Sequence, residues 1–390
     1  MGKPVPVTSL SAPNRTIRPG GHSPGPGDGR RPATGGDVAP RVTLQTIADR
    51  VGVSRMTVSN AFSKPDQLSA ALRERILDAA REVGYAGPDP AGRALAKGTT
   101  GAVGIVLTSS LRFAFTDLVA TSFLGAIAEQ LGPTGLALTL LTSSDDGDVI
   151  PARDVAMDGA LVYSCDPTST AVQYLTRRRL PLVYVDQDPV EGIPAANVDD
   201  RSGARAAAAH LIDLGHRRIG LLMSGMHGVH GLIDPADIEV DGHASRQRLL
   251  GWRDALDAAG ITPLVARQDG SVPEQAKAGA RLLLDRPDRP TAILCFSDAV
   301  AYGALQAAEE LGIRVPAELS VVGFDDSPLA SQLRPALTTV RQDVEAKGRV
   351  AAAALTRAIA DTRAGRTVTA EHVLLPTELV VRDSTAPPPA

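Results

Sequence analysis

The chain has 390 residues, roughly two to three times a typical domain, and its 43% hydrophobic content excludes a wholly disordered polymer. Its net charge of -4 is unevenly spread: residues 1–98 carry 14 Lys/Arg against 8 Asp/Glu, the remainder 26 against 36, so a basic front precedes an acidic body and alone suits a polyanion. Two cysteines, Cys165 and Cys295, give neither a disulfide framework nor zinc-ligand spacing, and no apolar run of about 18 residues or secretory h-region is present, so a soluble cytoplasmic protein is expected.

Residues 1–41 are dense in Pro and Gly (PGGHSPGPGDGRRPATGG) and read as a disordered tail. From Val42 the pattern turns helical. Leu44, Ile47, Ala48 and Val51 fall on one helix face, and Gly52 suits the left-handed residue of a sharp turn. Ser54 is placed to cap a second helix, with Val53 and Val58 as its hydrophobic staple. This is the construction of a helix-turn-helix. The second helix, Arg55 to Phe62, is a rod of about 12 Å, the width of a DNA major groove. It turns Arg55, Met56, Ser59 and Asn60 outward; Arg and Asn read base edges, Met offers an apolar contact, and Ser54 at the helix start suits a phosphate. The alternative is a helical hairpin with a merely polar outer face. A third helix from Ser69 carries the stripe Leu72, Ile76, Ala79, Ala80 and Val83, closed by Gly84.

Next comes PDPAGRALAKG. Asp89 and Gly98 bracket a helix from Pro90 to Lys97, shorter than the roughly 12–15 residues that hold independently in water, with Gly92 costing it roughly 1 kcal/mol more. Alone it should be coil, either an ordinary linker or a hinge that folds beside a second copy on DNA.

From Ala102 short β-rich runs alternate with helical stretches. The strands are 103–107, 136–141, 159–163, 181–185, 218–223, 291–296 and 320–324; the helices are 116–131, 201–214, 246–259, 273–285 and 298–311. This rhythm predicts a doubly wound parallel sheet, whose ligands bind beyond the strand C-termini. The residues there are Ser109, Ser110 and Phe115, then Asp186, Arg246 and Arg248, Ser297 and Asp298, and Asp325 and Asp326. Carboxylates, a guanidinium, hydroxyls and an aromatic plate suit a polyhydroxyl ligand. Each has a bland alternative: Asp298 and Asp325 or Asp326 as helix caps, Asp186 as a turn residue, Arg246 and Arg253 as solvated charges. His227, His230 and His243 lie in one loop without metal-ligand spacing, and His216 reads as a packing residue, so no metal or other cofactor is expected. No nucleophile elbow, phosphate loop or dinucleotide fingerprint is present, and no enzyme is expected.

Together, VTLQTIADRVGVSRMTVSNAF, the third helix ending in GYAGPDP, and the body motifs RQRLLGW and SVVGFDDSPLA resemble the LacI/GalR family of bacterial transcriptional regulators. The resemblance covers nearly everything after residue 41. It implies an N-terminal all-α helix-turn-helix domain plus an α/β doubly wound, two-lobed, periplasmic-binding-protein-like effector domain. By that resemblance Arg55, Met56 and Asn60 hold base-reading positions, although Asn60 replaces the arginine common there. Thr43, Ser54, Thr57 and Ser59 join the DNA contacts, and Leu95 matches a leucine wedged into the minor groove by a hinge helix. Arg248 and Asp325 match the effector-binding arginine and aspartate, with Ser109, Phe115, Asp186, Ser297 and Gln342 as further pocket positions. The expected domains are a tail (1–41), the DNA-binding unit (42–87), a hinge (88–98), an effector and dimerisation body (99–384) and a tail (385–390). Within the body the expected lobes are 101–197 with 343–370, and 198–342 with 371–384. The expected function is a homodimeric, ligand-responsive repressor that binds a double-stranded operator and a sugar-like effector and makes no membrane contact. A sugar-binding transport protein or a sugar-converting enzyme using the same cleft are the alternatives.

Overall fold

A computed structural model describes residues 42–87, 89–107, 111–142, 150–165, 168–225, 230–238, 240, 242–268 and 273–389. The chain divides into two compact units, 1–88 and 89–390. The disordered-tail expectation for 1–41 lies outside the described residues, as do Ser109, Ser110 and His227.

The first unit holds α1 (Leu44–Val51), α2 (Arg55–Ser63) and α3 (Ala70–Glu82). Thr43 caps α1 through a reciprocal pair with Thr46, and Gly52 ends it at φ 75°. Ser54 Oγ accepts from Thr57 N at 3.0 Å, so the sharp turn between the helices is built from a left-handed glycine and a hydroxyl cap. Ile47, Ala48, Val58, Ala61, Ile76, Ala79 and Ala80 form its core, with Val53 packed beside them as the staple requires. Ser69 caps α3 as the sequence implies.

The second unit begins with α4 (Pro90–Lys97), helical where coil is expected of an isolated segment. Its ends explain the difference. Arg93 N donates to the Asp89 carbonyl at 2.9 Å, Thr99 N donates to the Ala94 carbonyl, and Gly98 takes φ 67°. These bonds satisfy end groups that a bare eight-residue helix leaves open.

The body continues through β1 (Ala102–Leu107), α5 (Leu111–Thr116), α6 (Leu118–Leu131), β2 (Ala137–Thr142), α7 (Pro151–Asp154), β3 (Ala160–Tyr163), α8 (Thr170–Arg177), β4 (Leu182–Val185) and β5 (Ala195–Val198). It crosses to α9 (Asp200–Asp213), β6 (Ile219–Ser224), β7 (Gly231–Ile233), α10 (His243–Ala258), β8 (Leu264–Gln268), α11 (Pro273–Leu284), β9 (Ala292–Cys295), α12 (Asp298–Glu310), β10 (Ser320–Asp325), α13 (Pro328–Gln332) and β11 (Thr338–Gln342). It returns for α14 (Val344–Arg363) and β12 (His372–Leu375), then ends on β13 (Thr377–Val380).

Two sheets result, ordered β12-β5-β4-β3-β1-β2 and β13-β11-β10-β9-β6-β8-β7. Both contain the same doubly wound order, and only β7 and β13, at the edges of the second, run antiparallel. The seven strands read from the sequence are all present. Three readings need correction. The helix expected over 116–131 is present as α6 but starts at Leu118, because Asp117 caps it by accepting from Ala120 N at 2.8 Å. Residues 372–375 pair with β5 and so belong to the first lobe, placing the last crossover between Leu375 and Thr377. The expected tail beyond 384 is packed: buried His216 bonds the Ala386 carbonyl at 2.9 Å as well as the Thr291 and Ser320 hydroxyls, and His210 bonds Thr385.

Close approach of α9 and α10 sets the second lobe's geometry. A Cβ at Gly251 would lie 2.2 Å from the Arg201 carbonyl oxygen, while the neighbouring Trp252 is 1% exposed in the core. Replacing Gly251 by alanine should therefore force two backbones apart and cost about 1–3 kcal/mol, the range of overpacked cores. Urea unfolding would show this as a lower midpoint; an unchanged midpoint would contradict the packing argument.

Candidate DNA-reading helix and effector cleft

On α2, Arg55 and Met56 are exposed, Met56 by 69%. Ser54 is exposed and its hydroxyl meets that of Thr57 at 2.8 Å, fixing the helix start. Thr43 is exposed at the start of α1. Ser59 and Asn60, expected to face outward, are half-buried, and Asn60 Nδ2 donates to Gln67 Oε1 at 3.2 Å. Gln67 belongs to the 3₁₀ turn Pro65–Gln67, so part of the Asn60 amide is held by its own unit. Leu95 lies within α4, and its side chain falls outside what is described.

In the body, the strand ends facing the crossovers carry a chain of buried polar groups. Arg248, on the inner face of α10, donates from Nε to Asp200 Oδ1 at 2.8 Å, from Nη1 to the Phe296 carbonyl at 2.6 Å and from Nη2 to Asp325 Oδ1 at 3.3 Å. Its guanidinium lies 3.6 Å from the Phe324 ring centroid and 4.8 Å from that of Phe296. Gln342 Nε2 donates to the same Asp325 oxygen at 2.7 Å, and Gln342 Oε1 accepts from Lys347 Nζ at 3.2 Å. Lys347 Nζ also donates to Asp186 Oδ2 at 2.6 Å. Asp186 and Lys347 belong to the first lobe, whereas Asp200, Arg248 and Asp325 belong to the second, so Gln342 bridges the lobes at the second crossover. A second bridge lies nearby: Asp188 accepts from His243 Nδ1 at 2.8 Å and from Arg246.

Four sequence-derived positions, Asp186, Arg248, Asp325 and Gln342, are thus brought together. Ser297 is buried but caps α12, accepting from Val300 N at 3.2 Å. Asp298, whose alternative reading was that cap, is turned inward and accepts from the Thr339 hydroxyl and from Ser327 N and Oγ. Phe115, expected as the aromatic plate, is 70% exposed; the rings flanking the cations are Phe296, Phe324, Phe123 and Tyr163, the last two stacked with centroids 4.6 Å apart. Arg246 and Arg253 are bonded, to Asp188 and to the Pro235 carbonyl. Of the histidine loop, His230 bonds the Gly225 carbonyl while His243 serves the lobe bridge.

Asp117, Asp200 and Lys347 escaped the sequence reading. Asp200 was hidden at a helix start, where an acidic residue reads as a cap; Asp117 does cap α6 and bears on the cluster only through its charge. Asp199 is the actual cap of α9, accepting from Ser202 N at 3.1 Å, which leaves Asp200 turned inward. Lys347 looks like a solvated helix residue until its 1% exposure is seen.

Two features set this cluster apart. Ser164, Asp186, Asp325 and Asp326 all hold left-handed backbone angles at strand ends, the strained geometry that clusters at functional sites. Moreover Asp186 Oδ1 and Asp200 Oδ2, both buried, have no hydrogen-bond partner among the described residues. A buried carboxylate oxygen left so is costly and well placed to accept a donor from a ligand.

Burial governs the charges. Asp325 is pushed up to about 8 by desolvation, which outweighs the nearby Arg248; Asp298 is pushed up to about 6, again by burial. Asp200 and Asp117 rise for the same reason.

The helical unit matches the family model described as bacterial regulatory proteins, lacI family, over residues 43–87, and the body matches the periplasmic binding protein-like domain over 208–385. A transcriptional regulator of the helix-turn-helix type from Mycolicibacterium smegmatis is 38% identical, the match covering 79% of this chain and 88% of that one. The chain belongs to the LacI family. It is a DNA-binding transcriptional regulator carrying an effector-binding body. Among solved structures, this LacI-family chain is similar to the lac repressor dimer bound to operator and an anti-inducer (26% identity, TM-score 0.71, 88% of this chain and 99% of that one). It is also similar to a CelR–cellobiose complex (29% identity, TM-score 0.61, 88% and 100%). No described helix is long and apolar enough to cross a membrane.

The raised carboxylates predict a pH dependence with a definite sign. A folded pKa above the unfolded value means the native state binds more protons, so stability is full below about pH 4 for this group and is lost as pH rises towards about 8. The melting temperature of the wild type relative to Asp325→Asn should fall between pH 5 and 8, because the variant lacks this titration while His210 and His216 act alike in both. A variant with the same pH slope as wild type would contradict the assignment.

Proposed function

We propose that this regulator represses transcription as a homodimer, reading a double-stranded operator through α2 and responding to a small neutral polyhydroxyl metabolite, such as a sugar, held between the lobes. Arg55 and Met56 reach base edges, with Asn60 contributing from its half-buried position. Thr43, Ser54, Thr57 and Ser59 position the unit on phosphates. Leu95, on α4, wedges the minor groove. In the cleft, Arg248, Asp325, Asp186 and Gln342 bind hydroxyls, and Ser109, Phe115 and Ser297 are further effector positions that the family resemblance implies.

The observation that carries the reading is Arg248 fixed between Asp200 and Asp325, with carboxylate oxygens of Asp186 and Asp200 unpartnered among the described residues. A ligand rich in hydroxyl donors satisfies those oxygens, whereas an anion would bring acceptors to oxygens that need donors. The cellobiose held by the related CelR is a ligand of this chemistry. A transport protein or an enzyme would use the same cleft but has no need of the capped α1–α2 pair.

Two substitutions separate the halves of the proposal. Arg55→Ala should weaken binding to a duplex selected by the protein from its genome by about 1–3 kcal/mol, the value of a lost bidentate base contact, with ligand-induced thermal stabilisation intact. Equal affinity in the variant would refute the groove assignment. Arg248→Ala should abolish the stabilisation by neutral sugars or polyols while operator binding persists. A surviving response would put the effector elsewhere.

A further inference from the structure

Helix α14 runs from the cleft to the place where the linker enters the body. Near its first turn Lys347 holds Asp186; its last residue, Arg363, donates from Nη2 to Asp158 Oδ2 at 2.8 Å. Sixteen residues at 1.5 Å per residue separate the two by about 24 Å. The Asp158 side chain is 7% exposed, and its two oxygens also accept from Thr100 N at 2.7 Å and Gly101 N at 2.9 Å. Asp158 N completes the clasp by donating to the Ala102 carbonyl at 2.8 Å. Thr100 follows the end of α4 by three residues, and Gly98 and Gly101 on either side take left-handed angles of φ 67° and 73°.

The rod between these ends has little freedom to bend. A Cβ on Gly348 would lie 2.9 Å from the Phe123 carbonyl and from Ala126 of α6, and one on Gly159 would lie 3.0 Å from Leu355 and Ile359 of α14. Two bare backbones thus let α14 seat closely at both ends, one beside Lys347 and the other beside Asp158. Interiors packed this way pass on displacement rather than absorb it.

We propose that Asp158 and Arg363 are positioning residues forming the joint through which the state of the cleft, sensed by Lys347 and Asp186, sets the placement of the linker behind α4. The inference rests on the cleft being the effector site. Arg363 keeps Asp158 tied to α14, so a shift of the helix reaches the Thr100 and Gly101 amides directly. Without that tie the amides stay capped by Asp158, and the helix reaches the carboxylate only through its packing on Gly159, so less of its shift is passed on.

Amide hydrogen exchange on the full chain reads the joint without needing ligand or DNA. Lys347→Met, with Asp186→Asn as a second perturbation should the first unfold the protein, should change exchange at Thr99–Ala102 by about tenfold, within the range of ordinary coupling between sites. In an Arg363→Ala background the same perturbation should change it by less than about twofold, and Arg363→Lys should restore the response. A merely structural clasp would alter the baseline in Arg363→Ala but leave the response to the cleft unchanged, and that result overturns the proposal, as does an unresponsive linker in wild type. Affinity for a duplex selected from a random library, measured on the same variants, should follow the same pattern. A wild type that selects no duplex refutes the DNA reading and leaves the exchange data to decide the joint.

Discussion

The body is organised around a guanidinium that has left water. Arg248 is 5% exposed, and a cation there is tolerable only if carboxylates and a carbonyl surround it. Three chain segments distant in sequence supply them: the start of α9, the end of β9 and the end of β10. Satisfying that one charge therefore fixes how α10 sits over the sheet. Burial of these carboxylates lifts Asp325 and Asp200 above their ordinary range, and it leaves oxygens of Asp186 and Asp200 without partners among the described residues. Such a cluster is held firmly and still carries unpartnered acceptors among the described residues, which is why it is proposed as the effector site.

The lobes share their polar groups rather than owning them separately. Gln342 stands at a crossover and touches Asp325 on one side and Lys347 on the other; Asp188 reaches across to His243 and Arg246. Any molecule that rearranges these bonds changes both lobes at once. A population shift between arrangements requires such differential contacts, because a ligand bound equally in both states moves nothing.

Much of this was legible in the sequence because the relevant physics is local. The α1–α2 turn announces itself through Gly52, Ser54 and the Val53/Val58 staple, and continuous apolar runs between helical stretches identify a buried parallel sheet. Arg248 and Asp325, which the structure brings together, were singled out because ligands meet such sheets at strand C-termini and because their motifs resemble a known family. The failures are non-local. Strands 195–198, 264–268, 338–342, 372–375 and 377–380 are short or polar and become strands only beside their neighbours. Lys347 gives no signal of burial, since nothing in VEAKGRV says that Asp186 waits 161 residues upstream. The aromatic role given to Phe115 fell to rings on β10, after β9, on α6 and on β3, because proximity in sequence to a strand end is not proximity to the cation. Helix α4 holds through its end bonds, which a propensity argument omits.

The central claim is that occupancy of the cleft alters grip on DNA, and one titration tests it most directly. Thermal shift across neutral monosaccharides, disaccharides and cyclic polyols, with phosphorylated sugars as the charged comparison, identifies a compound that stabilises the protein. The binding isotherm of full-length protein for its genome-selected duplex is then measured with and without that compound. The account predicts a neutral polyol as the stabiliser and a change in DNA affinity of about fivefold or more when it is present. Stabilisation by phosphorylated sugars alone, or an isotherm indifferent to the bound polyol, would contradict it.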